Sequence, residues 1–250
     1  MTSENVEPVG PTGVEVACRY ATRPAFTTQG EPPSARVQAV AAMFGLGLDG
    51  DREVEVVPPM RVPLRRGQVV FVTGPSGSGK SSLLRALDQA AERALPGVPR
   101  VGLGRRADWP DTALIDALPS TTLDEALRWL SLAGLNDAFV MLRRPAELSD
   151  GQAYRFGLAM AMADIAKHAA DPDSHADHPA ALLIADEFGA ALDRLTAKVL
   201  ARNLRRWAER SGACAVVATT HDDLLEALRP DVLVEQRLGG SLVLHDRGSA

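Results

Sequence analysis

The residues best suited to chemistry lie between positions 74 and 82, where GPSGSGKSS places glycines and hydroxyl groups around a single lysine. Glycine has no Cβ, so successive backbone N–H groups can converge there on phosphate oxygens. The apolar run QVVFVTG (68–74) predicts a buried strand before the loop, and SSLLRALDQAAERAL (81–95) predicts a helix after it. The N-terminus of that helix adds partial positive charge, so the sequence predicts a phosphate-binding site.

Each position in this loop has an expected role, because the order of its residues is that of a P-loop. We expect the Lys80 ammonium to reach the β- and γ-phosphates of ATP, and the Ser81 hydroxyl to ligate Mg²⁺. A chance match in a Gly/Ser turn is the alternative, and the flanking strand and helix argue against it. The predicted nucleotide contacts are Gly74, Pro75, Ser76, Gly77, Ser78, Gly79, Lys80, Ser81 and Ser82.

Two carboxylates follow a second apolar run, ALLIADE (181–187). A buried strand that ends in charge is expected to emerge at the carboxyl edge of a parallel sheet, where ligands bind. Asp186 would hold Mg²⁺ directly or through water, and Glu187 would polarise the attacking water. A strand end that only meets solvent would have the same composition, but the P-loop upstream favours the catalytic interpretation.

The segment LSDGQAYR (148–155), between the loop and the carboxylates, resembles the LSGGQ signature of ATP-binding cassette (ABC) ATPases. The resemblance implies that Ser149 and Gly151, with Gln152 nearby, contact the γ-phosphate of ATP bound to another subunit. By itself, Ser-Asp-Gly would be an ordinary helix N-cap. Its position between the P-loop and the carboxylates is the family's order and favours the ABC assignment.

Two shorter motifs extend the resemblance to residues 35–235. ALD (191–193) resembles the D-loop, which implies that Asp193 lies near a subunit interface. TTH (219–221) resembles the switch-histidine motif, which implies that His221 hydrogen-bonds the γ-phosphate and helps to hold the water beside Glu187. The surrounding residues also resemble ABC-type ATPases that are joined to a predicted acetyltransferase domain. No acetyl-CoA site is visible in the sequence, so we expect the ATPase part only.

Two departures from the family pattern leave roles open. The family's Q-loop glutamine should end a strand between P-loop and signature, but the strand predicted over TALIDAL (112–118) ends without one. Asp116 is the nearest acidic replacement and would add a carboxylate ligand for Mg²⁺, although an ordinary turn aspartate is an equal alternative. For the aromatic residue that stacks on the base, Phe44 is a candidate, but a core position on the predicted helix 35–44 explains it better.

The pattern as a whole predicts an α/β fold of the P-loop NTPase class, in the form of an ABC-type nucleotide-binding domain. Apolar strands alternate with helical segments from residue 68 onwards, which indicates a largely parallel sheet with crossover helices. A small helical subdomain is expected to carry the signature. Residues 1–33 are interpreted as an N-terminal arm with one strand (14–21), and residues 34–250 as the ATPase domain.

Peripheral elements have weaker signals. EVEVV (53–57) and MRVPL (60–64) predict edge strands around a Pro-Pro turn, and the C-terminal residues predict a hairpin through Gly239 and Gly240. Thr122 and Glu125 have the spacing of a capping box at the start of a helix over 123–135.

Composition limits where the protein works. A formal net charge of -5 argues mildly against a dedicated nucleic-acid binder. Cys18 and Cys214 have no metal or disulfide spacing, which is typical of reduced thiols in the cytosol. No apolar run reaches the ~18 residues of a membrane helix, and the N-terminus has no secretory signal. We therefore expect a cytoplasmic protein without a membrane segment of its own.

These features leave three hypotheses for the work that ATP drives. The first is a soluble mechanochemical or regulatory ATPase, an ATP-dependent head-to-tail homodimer that acts on a protein or nucleic-acid partner. The second is the nucleotide-binding subunit of a transporter with a separate membrane permease. The third is an ATP-gated dimerisation module with little turnover, which Glu187 and His221 argue against. The missing glutamine and the short helical subdomain favour the first.

Overall fold

The fold is described here from a computed structural model of the 250-residue chain, over residues 13–22, 33–45, 52–120, 122–168, 178–238 and 241–247. Its strands are β1 (Gly13–Thr22), β2 (Arg52–Pro63), β3 (Val69–Thr73), β4 (Arg100–Gly102), β5 (Leu182–Ala185), β6 (Cys214–Thr219), β7 (Val232–Gln236) and β8 (Leu242–Asp246). Its helices are α1 (Ala35–Met43), α2 (Lys80–Ala94), α3 (Leu114–Ala117), α4 (Leu123–Leu132), α5 (Ala138–Met141), α6 (Asp150–His168), α7 (Arg194–Ser211) and α8 (Leu225–Leu228). None of these described helices combines the length and apolar character needed to cross a bilayer.

The main sheet has six strands in the order β4-β5-β6-β3-β7-β8. The first five are parallel, and β8 pairs antiparallel with β7. Spatial neighbours are distant in sequence, so helices cross over between them, which confirms the predicted P-loop α/β class. Every residue of β3 and β6 is buried, because these central strands are covered on both faces.

A core lies on each face of this sheet. Successive residues of β3 point to opposite faces, so Phe71 packs in the core with α6 and α7, whereas Val70 and Val72 pack in the core with α2. The second core also contains Val14 and Val16 of β1, both 1% exposed. The strand predicted in the N-terminal arm is thus confirmed and belongs to the core, while the boundary at residue 33 stays a prediction.

A separate cluster forms the helical subdomain from α3, α4, α5 and part of α6. Leu114, Leu130 and Phe156 are fully buried at its centre. The predicted cap of α4 is present, since the Glu125 N–H donates to Thr122 Oγ1 at 3.2 Å. The expected small helical subdomain is therefore present, and α6 carries the signature at its N-terminus.

The segment TALIDAL was predicted as a strand, and that prediction is wrong. It contains the short helix α3, on which Leu114 and Ala117 are buried at helical i, i+3 spacing. A short apolar run does not by itself distinguish a buried strand from a buried helix. The strand before the helical subdomain is β4, whose three residues are too few and too polar to be recognised from sequence. Asp116 consequently does not follow a strand.

The outer elements differ from expectation in two places. β2 is one strand that continues through the Pro-Pro pair, because β1 accommodates it by irregular pairing between Val16 and Cys18. Phe44 is 73% exposed, so the expectation of a core position is wrong: α1 buries only Ala41. The β7–β8 hairpin is confirmed, although its turn at residues 239–240 lies outside the described residues.

Candidate functional site

The loop after β3 turns around three glycines with positive φ: Gly74 at 149°, Gly77 at 77° and Gly79 at 100°. A Cβ at Gly79 would lie 2.5 Å from Val56 Cγ1, so β2 behind the loop leaves no room for a side chain. Gly79 caps α2 without a side-chain hydrogen bond. The Ser82 N–H donates to Gly79 O at 3.0 Å, so the N–H groups of Lys80 and Ser81 are the ones at this helix start that we expect to bind a phosphate.

An open cleft of about 440 Å³ lies beside this loop, within the range of small-molecule sites. The cleft joins the P-loop after β3, the carboxylates after β5 and the end of β6, which are three neighbouring parallel strands. Its lining residues are Ser76, Gly77, Gly79, Lys80, Ser81, Asp186, Glu187, Ala190, Thr219 and Thr220. The structure thus brings together the predicted lysine, serine and both carboxylates.

Lys80 reaches across the P-loop. Its Nζ donates to the carbonyl oxygens of Gly74 and of the next residue, each at 2.8 Å. Burial lowers the pKa of Lys80, and the carboxylates of Asp186, Asp222 and Glu187 oppose that shift. A partly dehydrated cation that lines this cleft can bind anionic oxygens more strongly than a lysine in water can.

Asp186 and Glu187 leave β5 in a tight turn. The Glu187 N–H donates to Asp186 Oδ1 at 2.9 Å, and Glu187 has a left-handed φ of 51°. Such a conformation costs a non-glycine residue on the order of 1 kcal/mol and is most often found at functional sites. A neighbouring hydrogen bond holds this turn in place: the Phe188 N–H donates to Ala218 O on β6 at 2.7 Å.

The segment after β6 supplies a further carboxylate near Lys80, that of Asp222, which was not predicted from the sequence. Thr73 Oγ1 donates to Asp222 Oδ1, which joins the P-loop strand to the segment after β6. His221 is half-buried, and its N–H donates to Thr219 Oγ1 at 3.3 Å. Thr219 and Thr220 line the cleft, whereas the imidazole of His221 is not among the lining groups described. A carboxylate three residues after a predicted strand, next to the predicted switch histidine, is the signal that could have identified Asp222.

The donor groups in the cleft fit a magnesium ion. Ser81 and Asp186 both line it and offer hydroxyl and carboxylate oxygens, the hard ligands that Mg²⁺ prefers. Asp116 lies instead on α3, which contacts α4 and α5. Its predicted metal role loses its basis, because the strand end on which that role depended is absent here.

The signature begins α6 with the reciprocal bonds of a capping box. The Gln152 N–H donates to Ser149 Oγ at 3.3 Å, and the Ser149 N–H donates to Gln152 Oε1 at 3.0 Å. A Cβ at Gly151 would lie 2.9 Å from Ala191 O, so glycine allows α6 to contact the D-loop of its own chain. Among the described lining residues of the cleft, none comes from the signature.

The D-loop residue Asp193 caps α7. Its side chain accepts a hydrogen bond from the Thr196 N–H at 3.0 Å. Hydrogen bonds from Thr196, first from its side chain and then from its backbone, hold the pKa of Asp193 below its ordinary value. The carboxylate is exposed beside the signature's contact with Ala191.

Known proteins with similar sequences match most of this chain. The phosphonates import ATP-binding protein PhnC 2 of a Synechococcus strain is 28% identical over 212 residues, which cover 69% of this chain and 72% of that protein. The aliphatic sulfonates import ATP-binding protein SsuB 2 of Burkholderia lata is 32% identical over 220 residues, which cover 79% and 74%. The chain belongs to the ABC ATPases.

A solved structure shares the fold of this chain, and a family model of an ATPase domain matches its sequence. The dimeric ATP-binding cassette MJ0796 bound to ADP and Pi superposes on this ABC ATPase with a TM-score of 0.57, covering 80% of this chain and 94% of the other at 19% identity. At that identity the likeness concerns the fold. The sequence model of the AAA ATPase domain matches residues 60–217, which run from β2 to β6 through the P-loop and the carboxylates. The finer resemblance to acetyltransferase-joined ATPases stays a prediction.

Proposed function

We propose that this ABC ATPase hydrolyses Mg-ATP at two composite sites, each made by the cleft of one copy and the signature of another. The observation that carries this proposal is that the nucleotide cleft and the signature lie apart in a single chain. Lys80 and Glu187 line the cleft, whereas Ser149 is exposed outside it. A two-fold axis between two copies would bring each signature to the other's cleft, so one contact would complete both sites.

Within each site, the P-loop N–H groups and Lys80 would bind the phosphates. Ser81 and Asp186 would hold Mg²⁺, which neutralises phosphate charge when bound. Glu187 would orient and polarise the attacking water, with its carboxylate directed by the strained turn after β5. The hydrogen bond between Thr73 and Asp222 would fix the backbone beside His221, which we propose as the γ-phosphate sensor.

Glu187→Gln tests this proposal, because an amide cannot polarise the water but leaves the phosphate contacts in place. We expect the variant to bind ATP without hydrolysing it, so that ATP holds two copies together. Light scattering after size exclusion should give twice the monomer mass with ATP and the monomer mass with ADP. The control Lys80→Ala/Glu187→Gln should stay monomeric in both. A Glu187→Gln variant that stays monomeric at saturating ATP would contradict the composite site.

For the work that hydrolysis drives, we propose transport through a separate membrane permease, from the cytoplasmic side. Support comes from the relatives, which are named as import ATP-binding proteins for phosphonates and for aliphatic sulfonates. This support favours the transporter hypothesis over the soluble ATPase that the sequence analysis ranked first.

One observation keeps the soluble ATPase as a second candidate. β4 ends at Gly102, next to the carboxylate-bearing strand β5, and Leu103, Gly104 and Arg105 follow it. This position contains neither glutamine nor a carboxylate, although the family pattern has its Q-loop glutamine at the end of such a strand.

Purification from detergent-solubilised cells distinguishes the two candidates. The transporter proposal expects a multi-span membrane protein in a fixed ratio to this chain and an ATPase rate that rises in the complex. A soluble protein or nucleic acid in that ratio, with no membrane protein, would support the second candidate and contradict the first.

A further inference from the structure

The signature of this chain carries a carboxylate, Asp150, at the helix end proposed to meet the phosphates of a second copy. Two negative groups that approach each other in a partly dry site repel strongly. In this chain the Asp150 carboxylate has a partner, because Arg106 Nη2 donates to Asp150 Oδ1 at 3.2 Å. The same nitrogen lies 3.5 Å from Ser149 O, so the guanidinium contacts both of the first two polar residues of the motif.

Arg106 is held in place by the segment that contains it, residues 103–109 after β4. A Cβ at Gly157 would lie 2.7 Å from Leu103 O, so a glycine on α6 lets the start of this segment contact the helix. At its other end, the Trp109 ring packs edge-on against Phe156, with centroids 5.1 Å apart. Both ends of the segment are thus packed against α6, each about two turns from Asp150.

This placement matters because exposed ion pairs are ordinarily weak. The Asp150 side chain is 96% exposed and that of Arg106 is 37% exposed, so water screens their attraction in a single chain. A packed backbone lowers the entropy cost of keeping the guanidinium there. A second copy that covers the signature would remove water from the pair, and the charge of an unneutralised Asp150 would then be most costly.

We propose that Arg106 is a positioning residue of the signature, which neutralises Asp150 and so allows the N-terminus of α6 to approach phosphates bound to a second copy. This inference rests on the composite site proposed above. The segment 103–109 also follows β4, which pairs with β5 at Gly102 and Ile184, two residues before Asp186. Arg106 therefore connects the strand pair that bears one copy's carboxylates to the signature that serves the other copy.

The neighbouring residue Arg105 provides a matched control. It has the same charge, its side chain is 83% exposed, and its Nε lies 3.7 Å from Asp108 Oδ2 rather than near the signature. Removing Arg105 changes the net charge of the protein by the same amount as removing Arg106. Any difference between the two variants then reports position and not total charge.

The experiment measures the ATP-dependent dimer constant of the full chain in the Glu187→Gln background by analytical ultracentrifugation. We expect Arg106→Ala to weaken the dimer about three- to tenfold at low salt, and the deficit to shrink as salt screens the exposed Asp150. Arg106→Lys, which keeps the charge, should retain most of the affinity. Arg105→Ala should match the parent, and ATP binding to the monomer should be unchanged in all variants.

A second substitution separates charge neutralisation from a structural contact. Asp150→Asn alone should leave the dimer at least as tight as in the parent, and Asp150→Asn with Arg106→Ala should restore what Arg106→Ala loses. If Asp150→Asn alone weakens the dimer as much as Arg106→Ala does, the pair is a structural contact and the inference is overturned. An Arg106→Ala variant that dimerises as tightly as the parent also overturns the inference. A parent that stays monomeric with ATP overturns the composite site, and this inference with it.

Discussion

Glu187 illustrates what single residues in this site reveal from sequence and what they do not. Its carboxylate could be predicted, because charge at the end of the apolar run 181–185 indicates a strand that emerges at the ligand edge. Its left-handed backbone could not, because glutamate disfavours that conformation and the cause is tertiary. The contacts responsible are the hydrogen bond from Phe188 to Ala218 and the buried Phe188 ring.

This strain makes a prediction that compares two variants, both without the carboxylate. Glycine adopts φ near 51° without the Cβ penalty, whereas alanine does not. We expect Glu187→Gly to have a free energy of unfolding about 1 kcal/mol above that of Glu187→Ala, measured by urea denaturation. Equal stability, or a more stable alanine variant, would show that the turn carries no strain at this residue.

Lys80→Ala should abolish ATP binding while leaving the fold intact. The lysine donates its hydrogen bonds to the carbonyl oxygens of Gly74 and the next residue within the P-loop itself, so its loss is local. Binding of a fluorescent ATP analogue and thermal unfolding measure the two effects separately. Lys167→Ala, which removes an exposed lysine of α6, is the matched control and should bind normally. Unchanged nucleotide affinity in Lys80→Ala would refute the P-loop assignment.

Among the elements, strong periodicity and length decided which could be predicted. α2 and α7 have amphipathic patterns over 15 and 18 residues, and the buried strands β3 and β6 are continuous apolar runs, so all four were recognised. β4 has three residues and was missed, and α3 has four and was predicted as a strand. Elements this short have no recognisable pattern in the sequence. Packing against neighbours determines their conformation, against β5 for β4 and against α4 for α3.

Arg106 was missed for the same reason. Its position depends on where β4 ends and on the close contact between α6 and Leu103 at Gly157, neither of which has a local signal in the sequence. The signature itself was recognisable because its residues are contiguous. A partner residue that lies 44 positions from the motif, as Arg106 does from Asp150, can be identified only from the tertiary structure.

The contact between α6 and the D-loop gives an element-scale prediction. Gly151→Ala should preserve ATP binding to the monomer but strongly reduce hydrolysis, because its Cβ would lie 2.9 Å from Ala191 O and displace the signature from the D-loop. Gly102→Ala is the matched control, since its Cβ would meet only Ile184 O at an ordinary 3.9 Å. Steady-state ATPase rates and nucleotide titrations measure both variants. A Gly151→Ala variant with the wild-type rate would show that this contact does not position the signature.

At the scale of the whole molecule, one chain has both the nucleotide cleft and the signature of an ABC ATPase but keeps these two halves of the site apart. The P-loop, carboxylates and end of β6 share one cleft, and the signature lies on the helical subdomain outside it. The order of motifs along the sequence could identify the family. It could not by itself establish this separation, which depends on how α6 packs against the sheet and the D-loop.

Mixing two inactive variants tests the composite site most directly. Lys80→Ala disables the cleft half, and Ser149→Arg disables the signature half at an exposed position. In a mixed pair, one site contains both defects and the other contains neither. Each mixed pair has one intact site instead of two, so we expect the mixture to regain ATPase activity, up to about half of the wild-type rate when every copy is in a mixed pair. A mixture no more active than the sum of the two separate variants would contradict it.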